Sequence, residues 1–229
     1  AAAVAASTGI TAWPERDQVE ALAGIDDDIR TALAWWDGPG ARPDLLRDLV
    51  LAAGAVWFLV GRADDFLRWS SRAHDALPDD HVATYLWATA RWAVGDPAPE
   101  LPALFDRAAT TAAALGDVSW EAEAVGTEQF VHLSRGEVAA AIDLQERAET
   151  AAERAGPEWQ ALAALRGGGL ALRLGEIDQA GERAGRACRL YDELGSSWGR
   201  ASSLGLTGDV AAATGATSRA AEAYLTAVT

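Results

Sequence analysis

Apolar and polar residues follow each other along most of the chain with the period of an amphipathic helix. Apolar side chains fall on one helical face, as in the series Ala141, Leu144, Ala148 and Ala152. Short alternating segments are few and β-branched residues are scarce, so no strand is expected. The pattern predicts an all-α chain with helices over 17–36, 43–60, 63–77, 81–94, 100–115, 118–134, 138–155, 158–174, 177–194, 198–214 and 217–229.

The helical pattern repeats with a period near forty residues. Glycines with spacings of 34, 41, 39 and 40 each follow an apolar helical segment: Gly61, Gly95, Gly136, Gly175 and Gly215. An alanine stands twelve residues after four of these glycines and thirteen residues after the second. Three tryptophans share the period, since Trp120, Trp159 and Trp198 are spaced 39 and 39. Three sets of markers with one period indicate an internal repeat.

Each part of the repeat has a physical role. A glycine tolerates the left-handed conformation that ends a helix and lets the chain reverse. A small alanine one helix later lets the two helices approach closely. Because a single hairpin cannot bury its apolar stripe, the hairpins are expected to stack into an α-α superhelix, a solenoid of about five to six units. We expect this superhelix over residues 17–229, after an irregular leader of residues 1–16.

The spacing of glycine and alanine resembles the tetratricopeptide repeat. The segment LALRLGEIDQAGERAGRACRLYDELG matches the family pattern, with Gly175, Ala187, Tyr191 and Leu194 at corresponding places. The long period and the opening IDDDIRTALAWW resemble the extended repeats in the C-terminal region of bacterial signal-transduction ATPases and antibiotic-pathway transcriptional regulators. The resemblance implies a regulatory domain that binds a small-molecule effector, a protein or a peptide, and acts on other domains of a parent regulator.

Composition and charge narrow the function further. The net charge is -15, and the 19 basic residues are all arginine, so no direct contact with nucleic acid is expected. No uncharged apolar stretch reaches the roughly 20 residues of a membrane span. The single cysteine, Cys188, permits no internal disulfide. A cytoplasmic protein with no membrane contact is therefore expected.

Motifs for catalysis, metals and cofactors are absent from the sequence. No phosphate-binding loop occurs, and Gly167, Gly168 and Gly169 fall inside a predicted helix, where close helix packing is the favoured interpretation. The aspartate clusters 26–28, 64–65 and 79–80 lie near helix starts, where carboxylates interact favourably with the helix dipole or cap the helix. We expect no enzyme activity, no catalytic residue, no metal and no cofactor.

A ligand-binding groove is expected on the face formed by the first helix of each repeat. Counting back from each glycine by 3, 6 and 10 residues, with the residue after the glycine as a polar rim, gives one helical face. From this face the expected groove residues are Phe58, Arg62, Tyr85, Thr89, Trp92, Phe130 and Glu137. Two alternatives stay open, because these side chains either line a groove or fill the core between hairpins. Two functions also stay open: a sensor needs an enclosed aromatic pocket of a few hundred Å³, whereas a protein scaffold needs an open channel with charged ladders.

Overall fold

The computed structural model describes residues 16–38 and 41–228, and in this part of the chain it contains helices and no strand. The predicted leader, residues 1–16, lies outside the described residues except for Arg16, at which the first helix begins. The helices are α1 (Arg16–Gly24), α2 (Asp26–Trp36), α3 (Pro43–Leu59), α4 (Ala63–Ala76), α5 (His81–Ala93), α6 (Leu101–Leu115), α7 (Val118–Ser134), α8 (Val138–Asp143), α9 (Gln145–Ala155), α10 (Pro157–Arg173), α11 (Ile177–Leu194), α12 (Ser197–Ala213) and α13 (Thr217–Ala227).

The helix boundaries agree with the predicted ones to within one or two residues, apart from two interruptions. The helix predicted over 17–36 is divided at Ile25, directly after Gly24, because glycine weakens a helix interior. The helix predicted over 138–155 is interrupted at Leu144. There the amide of Leu144 still donates to Ala140 and the carbonyl of Leu144 still accepts from Ala148, so the hydrogen-bond ladder continues across the interruption.

The five periodic glycines end their helices in the same way. Their φ angles lie between 73° and 77°, which confirms the predicted left-handed turn. At Gly175, the glycine amide donates to the carbonyl of Leu172 at 3.1 Å, and the amide of Glu176 donates to Ala171 at 2.9 Å. These two bonds define a Schellman motif, and the same pair occurs after the other four glycines.

The chain divides into two compact units, one up to Trp120 and the other from Glu121 on, with the boundary inside α7. In the first unit, consecutive helices from α2 to α6 pack against each other, and α3 also contacts α5. In the second unit, consecutive helices from α9 to α13 pack in the same manner, and α10 also contacts α12. Each unit thus consists of pairs of helices that are adjacent in sequence, and the first helix of one pair also contacts the first helix of the next pair.

Small residues allow the helices of a pair to approach closely. The periodic alanines Ala73, Ala108, Ala148 and Ala187 are all at most 3% exposed, whereas Ala227 in the last helix is half-buried. In four repeats the alanine is therefore buried between helices, as predicted for a position where the two helices of a pair approach closely.

One of the three consecutive glycines of α10 has a similar role. A β-carbon at Gly167 would overlap the Arg183 side chain, and one at Gly168 would lie 2.7 Å from a methyl group of Leu206. Gly169 faces open space. The predicted packing role is confirmed for Gly168, whereas at Gly167 the neighbours are the ends of flexible side chains.

Candidate functional site

Two of the predicted groove residues lie side by side in the first unit. The rings of Phe58 on α3 and Trp92 on α5 are stacked, with centroids 6.4 Å apart and planes inclined by 21°. Both side chains are half-buried, and Thr89 lies one turn before Trp92 on the same helix. The buried Thr89 hydroxyl has no hydrogen-bond partner within residues 16–38 and 41–228. Phe58, Thr89 and Trp92 are here called the Phe58–Trp92 patch.

Exposed apolar side chains surround this patch in sequence. Leu59 and Val60 follow Phe58 and are 50% and 47% exposed, and Val94, which occupies the place of Val60 in the next repeat, is 39% exposed. The residues directly before two successive periodic glycines are thus both apolar and open to solvent. Exposed apolar and aromatic residues are enriched at contact surfaces.

Tyr85 lies in the core of the first unit. Its ring is 8% exposed and makes edge contacts with Phe105, at 5.7 Å between centroids, and with Trp120, at 5.2 Å. Because these partners belong to α6 and to the start of α7, Tyr85 connects three successive helices. For this residue the structure agrees with the second of the two alternatives above, a side chain that fills the core.

Arg62 takes part in an ion-pair network that joins α2 to the turn between α3 and α4. Its guanidinium lies 2.5 Å from Asp26 and 2.9 Å from Asp65, and Arg30 pairs with the same two carboxylates at 3.1 and 2.9 Å. The indole N–H of Trp57 donates to Asp26 at 3.0 Å. Burial alone would raise the pKa of Asp26, but the hydrogen bonds from Arg62 and Trp57 outweigh it and hold that pKa below its usual value.

A cavity of about 330 Å³ lies beside this network. Its walls come from the α1–α2 turn and from one face of α3, followed by the network arginine: Leu22, Gly24, Ile25, Asp26, Asp27, Asp28, Ile29, Ala53, Val56, Trp57, Val60 and Arg62. Half of the lining residues are aliphatic and one is an indole, but polar atoms form the larger share of the exposed wall. Carboxylates and one guanidinium supply the charged groups of the wall.

Sequence reasoning found only one residue of this cavity, Arg62. The aspartates 26–28 were interpreted as favourable charges at a helix start, which they also are. Trp57 does not stand out in the repeat, because counting back from the periodic glycine Gly61 selects its neighbour Phe58. What brings these residues together is the packing of α2 and of the α1–α2 turn on α3, and no repeat marker reports that contact.

The two remaining predicted residues belong to the second unit. Phe130 on α7 is 39% exposed. The exposed carboxylate of Glu137 lies 2.5 Å from Nδ1 of His132, and Glu128, one turn before His132, approaches the other ring nitrogen at 4.0 Å. His132 thus lies between two carboxylates at the end of α7.

The second unit also carries a ladder of polar side chains. Arg166 on α10 donates to the hydroxyl of Thr127 at 3.2 Å and pairs with Glu123 at 3.5 Å, so that it joins α10 to α7. Glycine at position 126 leaves the space that the Arg166 guanidinium occupies. Gln145 donates to Glu149 at 2.6 Å, and Glu149 pairs with Arg183 at 2.6 Å, which joins α9 to α11.

Comparisons with known proteins give no family for this chain, because no protein-family model and no curated protein sequence matches it. In the described residues, no group of three or more histidine, cysteine, aspartate or glutamate side chains could hold a metal ion. The helices of that same part of the chain are too short or too polar to cross a bilayer.

Proposed function

We propose that the chain is a non-catalytic regulatory domain, built as a superhelix of about five to six tetratricopeptide-like hairpins. Three observations support this architecture: the recurring Schellman turns, the buried periodic alanines, and the contacts between the first helices of successive pairs. Helices that touch both their partner and the equivalent helix of the next pair are expected of stacked hairpins. The resemblance to bacterial regulators supports a cytoplasmic protein.

The function that the geometry supports best is the binding of a small-molecule effector, and the cavity beside Trp57 carries this proposal. Its volume of about 330 Å³ lies within the range of small-molecule sites, roughly 300–1,000 Å³. The cavity is lined by carboxylates and Ile29 on α2 and by the Trp57 indole and aliphatic side chains on α3, so an effector there would stabilise the contact between these helices. Such a ligand would shift the population of active and inactive states of other domains in a parent regulator.

Phenylalanine in place of Val60 is expected to block the effector. Val60 lines the cavity yet is 47% exposed, so a larger side chain can enter without disturbing the core. Across a panel of metabolites, at least one compound should raise the melting temperature of the unmodified chain saturably, and Val60→Phe should weaken its binding about tenfold or more, about 1.4 kcal/mol. Val94→Phe is the matched control, because Val94 occupies the equivalent place outside the cavity.

Three outcomes of this experiment are distinct. Loss of binding in Val60→Phe alone supports the cavity as the effector site. Equal binding by both variants and the unmodified chain rejects that site. A flat response of the unmodified chain across a broad panel rejects the sensor function and favours the second candidate.

The second candidate is a scaffold that binds a peptide or helix on the Phe58–Trp92 patch. The observation that favours it is that Leu59, Val60 and Val94, which lie close to the stacked Phe58 and Trp92 in sequence, are apolar and exposed. The polar ladder of the second unit also matches the charged ladders expected of a scaffold. Aromatic side chains at the centre of such a surface contribute most of the binding energy.

Alanine in place of Trp92 is expected to weaken partner binding strongly and leave the domain folded, because the ring is half-buried on the surface of α5. The loss of an aromatic contact residue costs about 2 kcal/mol or more of binding energy, about thirtyfold in Kd. Titration calorimetry with an identified partner measures the change, and Trp35→Ala, at a tryptophan 58% exposed on α2, serves as the control. Unfolding of Trp92→Ala, shown by a collapsed circular dichroism signal, would instead assign Trp92 to the core.

A further inference from the structure

The side chain of Tyr191 on α11 is fixed deep inside the second unit. It is 3% exposed and packs against Ala161 and Ala164 of α10, and its ring makes an edge contact with Trp198 at 6.1 Å between centroids. Gly199 lies so close to the ring that a β-carbon there would overlap it. The ring is therefore held on several sides, and its hydroxyl has little freedom to move.

The Tyr191 hydroxyl is a buried polar group that the described protein atoms leave unsatisfied. Its oxygen is shielded from solvent and has no hydrogen-bond partner among the residues that the structure describes. Burial raises the pKa of this phenol, so it is protonated and able to donate at neutral pH. Native proteins satisfy the great majority of such groups, either with protein atoms or with ordered water.

Charged side chains of the second unit interact electrostatically with the hydroxyl. Arg166, Glu123 and Glu158 are the charges that act on the Tyr191 phenol. Glu123 is 4% exposed on α7 and forms its ion pair with Arg166 of α10, while Thr127 accepts a hydrogen bond from the same guanidinium. The ion pair between α7 and α10 is thus within electrostatic range of Tyr191 on α11.

We propose that the Tyr191 hydroxyl holds an internal water molecule that joins it to the Glu123–Arg166 ion pair. The hydroxyl donates to the water, the water donates to the Glu123 carboxylate, and the Arg166 guanidinium donates to the water. These three groups supply the two to four polar partners that a buried water needs. Because the hydroxyl is closed off from solvent, a larger ligand does not reach it. The water connects α11 to the α7–α10 ion pair and thereby ties three helices together.

A crystal structure that resolves ordered solvent tests this proposal directly. We expect one water about 2.5–3.0 Å from the Tyr191 oxygen and within hydrogen-bond distance of the Glu123 carboxylate. A hydroxyl that bonds directly to a protein atom, or one with no density beside it, would overturn the proposal.

The variant Tyr191→Phe gives a second test in solution, because it keeps the packed ring and removes only the hydroxyl. If the water is present, the melting temperature of the variant falls, and the fall is smaller when Glu123 is already replaced by glutamine, since the two groups are coupled through the water. If the hydroxyl is simply unsatisfied, Tyr191→Phe leaves the melting temperature unchanged or raises it, and the two substitutions are additive. Tyr224→Phe, at an exposed tyrosine that bonds directly to Asp209, is the control.

Discussion

Replacing Trp57 by alanine is expected to lower the free energy of unfolding by about 3–5 kcal/mol, the largest stability effect of any substitution considered for this chain. The indole is 2% exposed in the core of the first unit, and its N–H donates to Asp26 at 3.0 Å. Alanine removes the packed ring and the hydrogen bond at once, and it leaves space that the surrounding helices fill only in part. Chemical denaturation monitored by circular dichroism measures the loss.

The variant Trp57→Phe separates the two contributions. It keeps most of the ring volume and removes the N–H donor. Its loss should be below the about 1.5–3 kcal/mol of a hydrogen bond to a charged group, because Asp26 is partly exposed. Trp35→Ala, at a tryptophan 58% exposed, should change stability by no more than about 0.5 kcal/mol. A loss below about 1 kcal/mol for Trp57→Ala would show that α3 does not bury this ring as described.

Replacing Gly199 by alanine is expected to destabilise the second unit by about 1–3 kcal/mol. The new methyl group would overlap the Tyr191 ring, which Trp198 and the alanines of α10 hold from other sides. Either the ring leaves its position or α12 shifts away from α11, and both changes disturb the contact between successive helix pairs. Thermal or urea unfolding measures the effect.

Gly205→Ala is the matched control on the same helix. A β-carbon at Gly205 meets nothing within 4 Å, so alanine there should stabilise the chain by about 0.5–1 kcal/mol through its higher helix propensity. Opposite signs for the two substitutions confirm the packing of Tyr191 against α12. Equal effects of Gly199→Ala and Gly205→Ala would contradict it.

The helices and turns followed from the sequence because their causes are local and periodic. A glycine after an apolar run imposes a left-handed turn wherever it stands, so Gly175 and its equivalents could be recognised one at a time and then confirmed by their common spacing. The same reasoning identified the buried alanines. It did not predict the helix interruptions at Ile25 and Leu144, since a break of one residue leaves the pattern of apolar residues unchanged.

The candidate site was harder to predict because it depends on contacts between helices. Counting back from the periodic glycines selected Phe58 and Trp92, and their rings are stacked in the structure, since equivalent positions of touching first helices are neighbours. For Tyr85 the same count selected a side chain that packs on Phe105 and Trp120. The cavity beside Trp57 lies where the α1–α2 turn meets α3, and those opening helices do not share the repeat pattern.

The measurement that tests the central claim most directly is a crystal structure of the chain with a compound that raises its melting temperature. The proposed function predicts that the compound lies in the cavity, in contact with the Trp57 indole and the side chains of Ile29 and Val56. Density for the compound at the Phe58–Trp92 patch or elsewhere on the surface, with the cavity unchanged, would contradict the effector site proposed for this domain.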